Sequence, residues 1–148
     1  MNKNLLIIVK DKNEIEQFNI LKDYKFLPIF TSSCDKSESI LINTEVSAIL
    51  IDIDILKNEC HKLHNFLIKN YPNIPVIILT DFVNKTVTLK YIDYCAYDYV
   101  LKPIEMNGLV ANLIRAVEEY ELKEKLINLN SVLERSLELL NFRNQIIK

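Results

Sequence analysis

Four polar side chains stand just past the ends of hydrophobic runs. Asp11 comes after Leu5-Leu6-Ile7-Ile8-Val9, Asp52 after Ala48-Ile49-Leu50-Ile51, Thr80 after Val76-Ile77-Ile78-Leu79, and Lys102 after Tyr99-Val100-Leu101. Two carboxylates suit a hard divalent cation. An ammonium and a hydroxyl suit the oxygens of a phosphoryl group. For this chemistry to occur in one place, four separate segments must deliver their ends to a common edge. Short apolar runs rich in β-branched residues read as strands buried on both faces, the pattern of a parallel sheet covered by helices. In open sheets of that kind ligands bind beyond the carboxyl ends of the strands.

The rest of the chain supplies the matching helices. Strands are expected at about Asn4–Val9, Phe26–Phe30, Ser47–Ile53, Val76–Thr80 and Tyr97–Leu101. Between them, helices are expected at about Asn13–Leu21, Asp35–Ile42, Asn58–Lys69 and Asn84–Tyr94, the second preceded by the capping residues Ser32 and Ser33. Such alternation with short connections specifies right-handed βαβ units: a flavodoxin-like (βα)5 three-layer sandwich around a five-stranded parallel sheet.

Composition narrows the function. The 148 residues suffice for one well-buried domain, and a net charge of −2 gives no pointer to nucleic acid or to an acidic membrane. No apolar stretch approaches the roughly 20 residues that span a bilayer, and the short first run does not make a signal peptide. Cys34, Cys60 and Cys95 are odd in number and without a C-x-x-C, so they read as free thiols of a reducing, cytoplasmic compartment. A single glycine, Gly108, excludes a glycine-rich phosphate loop.

From Glu105 to Lys148 there is no proline, and a helix of that length would run roughly 60 Å. Its first part, with Leu109, Leu113, Ile114 and Val117, can cover the sheet; its second carries Leu122, Leu126, Leu129 and Leu133, then Ser136, Leu140, Arg143 and Ile147 at alternating steps of four and three. That is a heptad seam. The expected division is a domain over 1–121 and a coiled-coil helix over 122–148, joining two copies of the chain.

Over about Asn2 to Glu121 the chain resembles the receiver domain of two-component response regulators. The residues that carry the resemblance are IIVKDKNEI at the first strand, AILIDIDI at the third, IPVIILTDF at the fourth and CAYDYVLKPI at the fifth, in the family's order. The resemblance implies that Asp52 accepts a phosphoryl group from a histidine kinase or phosphotransfer protein. It implies that Asp11, Asp52 and the backbone carbonyl of Asp54 hold Mg²⁺. Thr80 is then the switch hydroxyl, Lys102 the cation at the phosphoryl group, Tyr99 the switch aromatic, and Lys102-Pro103 a cis bond. A protein of this kind is not an enzyme beyond taking phosphate from small donors and hydrolysing its own phosphate.

The sequence also departs from that pattern. Lys10 stands where the family has the first of two adjacent acids, which places a cation by the metal site and is expected to weaken Mg²⁺ binding. Leu56 and Cys60 replace a common Pro and Gly in the segment after Asp52, and Asp81 replaces a small residue. The alternative reading is a pseudo-receiver, a dimerisation or interaction module that does not use phosphate. A flavin- or nucleotide-binding enzyme on the same fold is a third, disfavoured by the missing phosphate loop. Cys60 and His64, four apart on an expected helix, lack the third ligand a metal site needs. Tyr91, Tyr94 and Tyr97 read as packing residues with surface hydroxyls. No output domain follows Lys148, so the expectation is a stand-alone regulator or the receiver part of a longer protein.

Overall fold

The computed structural model describes residues 2–59, 61–94 and 97–147. Five strands form one parallel sheet: β1 (Lys3–Ile8), β2 (Phe26–Thr31), β3 (Val46–Asp52), β4 (Val76–Thr80) and β5 (Asp98–Leu101), in the order β2-β1-β3-β4-β5. This is the flavodoxin-like arrangement expected from the alternation. Pro28 is tolerated because β2 lies at the sheet edge, where a missing N–H leaves no central ladder broken.

Alternation along each strand divides the core into two layers. Leu5, Ile7, Val9, Leu50, Ile77 and Leu79 meet Phe18, Leu21, Leu109 and Leu113 on one side. Leu6, Ile8, Ile49, Ile51 and Ile78 meet Leu41, Ile55 and Leu63 on the other. The second side is built by α1 (Cys34–Asn43), α2 (Ile53–Glu59), α3 (His61–Asn70) and α4 (Lys85–Tyr94), and the long α5 (Met106–Ile147) contributes to the first. Ser33 caps α1, its hydroxyl accepting the Lys36 N–H at 3.3 Å. Glu105 caps α5 by accepting the N–H groups of Asn107 and Gly108 at 3.1 and 2.7 Å. A Cβ on Gly108 would lie 2.8 Å from that carboxylate, a contact the flexible Glu105 side chain could relieve by shifting.

Three local expectations are corrected. The segment expected as a helix over Asn13–Leu21 forms 3-10 turns at Lys12–Glu14 and Glu16–Tyr24, ended by Lys25 in the left-handed region at φ 67°. With no glycine available, a lysine takes that conformation and donates its N–H to the Leu21 and Lys22 carbonyls. An additional helix, α2, begins at Ile53 directly after β3, so Asp54 and Leu56 are helical rather than in a loop, while the helix expected over Asn58–Lys69 corresponds to α3. Finally, Cys34 is disulfide-bonded rather than a free thiol. Sequence spacing says nothing about whether two Cβ atoms come within bridging distance. Cys60 and Cys95 lie outside the described residues.

The α5 helix leaves the domain at a defined point. Tyr120 packs beside the layer that contains Leu41 and Val46, and Lys3 at the start of β1 pairs with Glu121. Beyond it Leu122, Leu126, Leu129, Leu133 and Leu140 are all exposed, as are Val132, Leu137 and Leu139, so the apolar face is broader than the heptad seam alone. No helix among the described residues is long and apolar enough to cross a membrane.

Candidate functional site

Sheet register brings the predicted residues to one edge. Asp52 is opposite Leu79, and Thr80 is opposite Leu101, so Asp52, Thr80 and Lys102 succeed one another across β3, β4 and the end of β5. The Lys102 N–H donates to the Thr80 carbonyl at 2.8 Å, extending the ladder one residue past the strand. On the other flank Ile8 is opposite Ile51, which puts Asp11 beyond the neighbouring strand end. The Lys102-Pro103 bond is cis.

Asp52 is buried, with 6% of its surface exposed, so its charge needs partners. One oxygen, Oδ1, accepts the Asp54 N–H at 2.9 Å, a bond made available because α2 starts immediately after β3. The other, Oδ2, is paired with the Lys102 ammonium. Burial alone pulls the Lys102 pKa down. The hydrogen bond and charge of Asp52, followed by those of Glu14, outweigh it and leave the pKa above its ordinary value. Lys102 is therefore a cation throughout the physiological range.

Glu14 was absent from the sequence-based site. Its Oε1 lies 3.3 Å from Lys102 Nζ, so the ammonium is shared between two carboxylates from distant parts of the chain. The available signal was an acid three residues past Asp11, brought inward by the 3-10 turn at Lys12–Glu14. Asp11 itself is exposed and accepts the Asn13 N–H at 2.9 Å through Oδ1. Lys10 is exposed.

Thr80 is fully buried, and its hydroxyl lies 2.7 Å from that of Thr88 on α4. Tyr99 is partly buried and packs on the α1–α4 side of the sheet. A polar chain crosses the rim between α2 and α4. Lys57 Nζ lies 3.4 Å from Asp54 and donates to Asn84 Oδ1 at 2.8 Å, and Asn84 donates its side-chain and backbone N–H groups to Asp81 at 2.9 and 3.0 Å. Asp81 thus serves as a capping residue ahead of α4 rather than only as extra charge at the rim. Of the tyrosines read as packing residues, Tyr91 packs on the α1–α4 side, while the Tyr97 hydroxyl accepts from Arg115 Nε at 3.2 Å.

No group of three or more His, Cys, Asp or Glu side chains able to hold a metal occurs among the described residues. The donors at the edge are nevertheless hard oxygens, the Asp11 and Asp52 carboxylates. The carbonyl of Asp54, in the first turn of α2, has a second lone pair beyond its helical bond. Mg²⁺ is commonly held by only one or two carboxylates with water completing the shell, so the donor chemistry fits that ion.

No protein-family model matches the chain. An NtrX-like response regulator of Rickettsia bellii is 34% identical over 130 residues, which is 85% of this chain and 27% of that protein. The chain thus spans about a quarter of the length of the curated relatives it matches. Among solved structures, the N-terminal signal receiver domain of a two-component response regulator from Bacteroides fragilis superposes with a TM-score of 0.70 at 21% identity, covering 79% of this chain and 98% of that one. NtrX from Brucella abortus, in complex with ADP, gives 0.77 at 21% identity, covering 87% of this chain and 29% of that one. Sequence similarity to response regulators, the parallel sheet and the strand-end residues agree: the chain belongs to the response-regulator receiver domains of two-component signalling.

Proposed function

We propose that Asp52 accepts a phosphoryl group from a histidine kinase or phosphotransfer protein, and that α5 relays the resulting change through a dimer. The observation that carries this reading is the buried Asp52 carboxylate paired with Lys102, with Thr80 at the end of the intervening strand. In the reaction a carboxylate oxygen of Asp52 attacks phosphorus, and the phosphorus–nitrogen bond of the donor breaks. The imidazole leaves with the electron pair. Asp52 becomes an acyl phosphate, and Lys102 passes from the carboxylate to the phosphoryl oxygens. Mg²⁺, held by Asp11, Asp52 and the Asp54 carbonyl, would neutralise charge on the opposite side. Glu14 holds Lys102 in position while the ammonium changes partner. The chain is on this reading a phosphoacceptor rather than an enzyme acting on other molecules.

The relay rests on the exposed leucines of α5. Parallel pairing of two copies buries Leu122, Leu126, Leu129, Leu133 and Leu140 and sets two domains side by side. Intact-mass analysis after incubation with acetyl phosphate and Mg²⁺ tests the acceptor: wild type gains one phosphoryl mass and Asp52→Asn gains none. Equal gain by both moves the site elsewhere.

Lys10 favours a second reading, a pseudo-receiver that dimerises without phosphate. A cation beside the metal site opposes a divalent ion, an effect that solvent screens at the exposed Lys10. Lys10→Asp is therefore expected to tighten Mg²⁺ binding measured by calorimetry. If neither wild type nor Lys10→Asp takes a phosphoryl group, the pseudo-receiver reading replaces the first.

A further inference from the structure

The hydroxyl that the phosphoacceptor reading needs at Asp52 is committed elsewhere in this structure. Thr80 and Thr88 are buried, 0% and 1% exposed, so neither hydroxyl has water as an easy alternative partner. Thr88 Oγ1 donates to the Asn84 carbonyl at 2.8 Å. A hydroxyl has one proton, so with that of Thr88 on the Asn84 carbonyl, Thr80 is the donor in the 2.7 Å contact, the Asp81 carbonyl at 3.5 Å being a longer alternative for its proton. The one proton that Thr80 could give to a phosphoryl oxygen is thus given to α4.

We infer that Thr88 is a latch on the switch hydroxyl, holding Thr80 toward α4 until Asp52 is phosphorylated. The inference rests on the phosphoacceptor reading and adds a residue that sets its resting state. Thr88 is a positioning residue, acting through Thr80 alone. Its own acceptor, the Asn84 carbonyl, belongs to a residue that is 8% exposed and fixed by Asp81 and Lys57. Lys57 lies on α2, which begins at the residue after Asp52. The latch is therefore built on the two segments that flank the phosphorylation site, α2 and the loop before α4. Releasing it exchanges one buried hydrogen bond for a charge-assisted one to the phosphoryl oxygen, a stronger interaction. Removing the Thr88 hydroxyl while keeping its shape leaves Thr80 without its resting partner, which raises the resting state relative to the phosphorylated one.

The test is the affinity for beryllofluoride with Mg²⁺, a phosphoryl mimic, followed by tyrosine fluorescence. Thr88→Val is expected to bind about threefold to tenfold more tightly than wild type, the equivalent of one hydrogen bond. Thr88→Ser, which restores the hydroxyl, is expected to return to the wild-type value, and the Thr88→Val effect is expected to vanish on a Thr80→Ala background. Equal affinities for wild type and Thr88→Val overturn the latch and leave the phosphoacceptor reading standing. Binding by neither protein removes that reading and the latch with it. Binding by Thr88→Val alone supports both. Should Thr88→Val not fold, wild type decides by NMR. Proximity of the Thr80 and Thr88 hydroxyl protons is expected in the free protein and lost with beryllofluoride bound; persistence in the bound state overturns the latch.

Discussion

The two halves of α5 form one unbroken helix and obey different rules. The first half places Leu109, Leu113, Ala116 and Val117 against the sheet, all at or below 2% exposure. The second half, past Glu121, exposes every leucine, with Leu129 at 59%. The first half is helical because an apolar stripe has a surface to cover. The second has no such surface within the domain and depends on helix-forming residues such as Leu, Glu and Lys, continued from a folded start. Nucleation is the costly step of helix formation, and the packed half supplies it. Continuity of a helix therefore does not imply that its whole length is part of the domain.

That contrast is open to test by changes confined to one half. The largest expected effect is on association: Leu129→Glu with Leu133→Glu should convert the proposed dimer fully to monomer in sedimentation equilibrium, with the urea midpoint of the domain unchanged. A monomeric wild type at tens of micromolar would remove the dimer altogether. Next is stability. Leu113→Ala should cost about 2–5 kcal/mol in urea unfolding, whereas Leu129→Ala should leave the domain's unfolding unaltered and only weaken association. A similar cost at both positions would break the contrast.

Smaller effects come from the junction. Lys3 and Glu121 are partly exposed, at 31% and 43% of their side chains, so Lys3→Ala should cost no more than about 1 kcal/mol. The smallest effect is on pH dependence. Burial, then the charges of Glu124 and Glu45 and the neighbouring Tyr71, raise the pKa of the Tyr120 phenol. The folded chain then keeps a proton that the unfolded chain gives up, so stability should fall as pH rises past about 10. Lys102 acts with the same sign at the opposite end of the sheet: its contribution is complete below the ordinary lysine value and is lost as pH rises through the raised one. Tyr120→Phe should flatten only its share of the alkaline loss in thermal melts taken from pH 8 to pH 11, a range chosen to bracket about 10.

Much of this was legible in the chain. The apolar runs specified buried parallel strands, and Asp52, Thr80 and Lys102 were placed at their ends because a run must stop where the chain leaves the sheet. The seam from Leu122 to Leu133 was visible because helical period alone sets which residues share a face. Less legible was the segment after Asp52, where a helix starts at Ile53 although the apolar run reads as carrying the strand to that residue. Glu14, Asn84 and Thr88 were not found at all. Each is an ordinary polar residue in its local sequence, and of the three only Glu14 carried a spacing signal, its place three residues past Asp11.

The sequence by itself determined the layer order, the strand ends and the two characters of the last helix, because those follow from local periodicity and from which residues can tolerate burial. Only the tertiary structure decided which charge meets which. Lys102 comes between Glu14 and Asp52 across 88 and 50 residues of chain, and Thr80 meets Thr88 only because α4 folds back over its own strand. Hydrogen bonds and ion pairs act over a few ångströms, and such proximities are set by packing rather than by sequence separation.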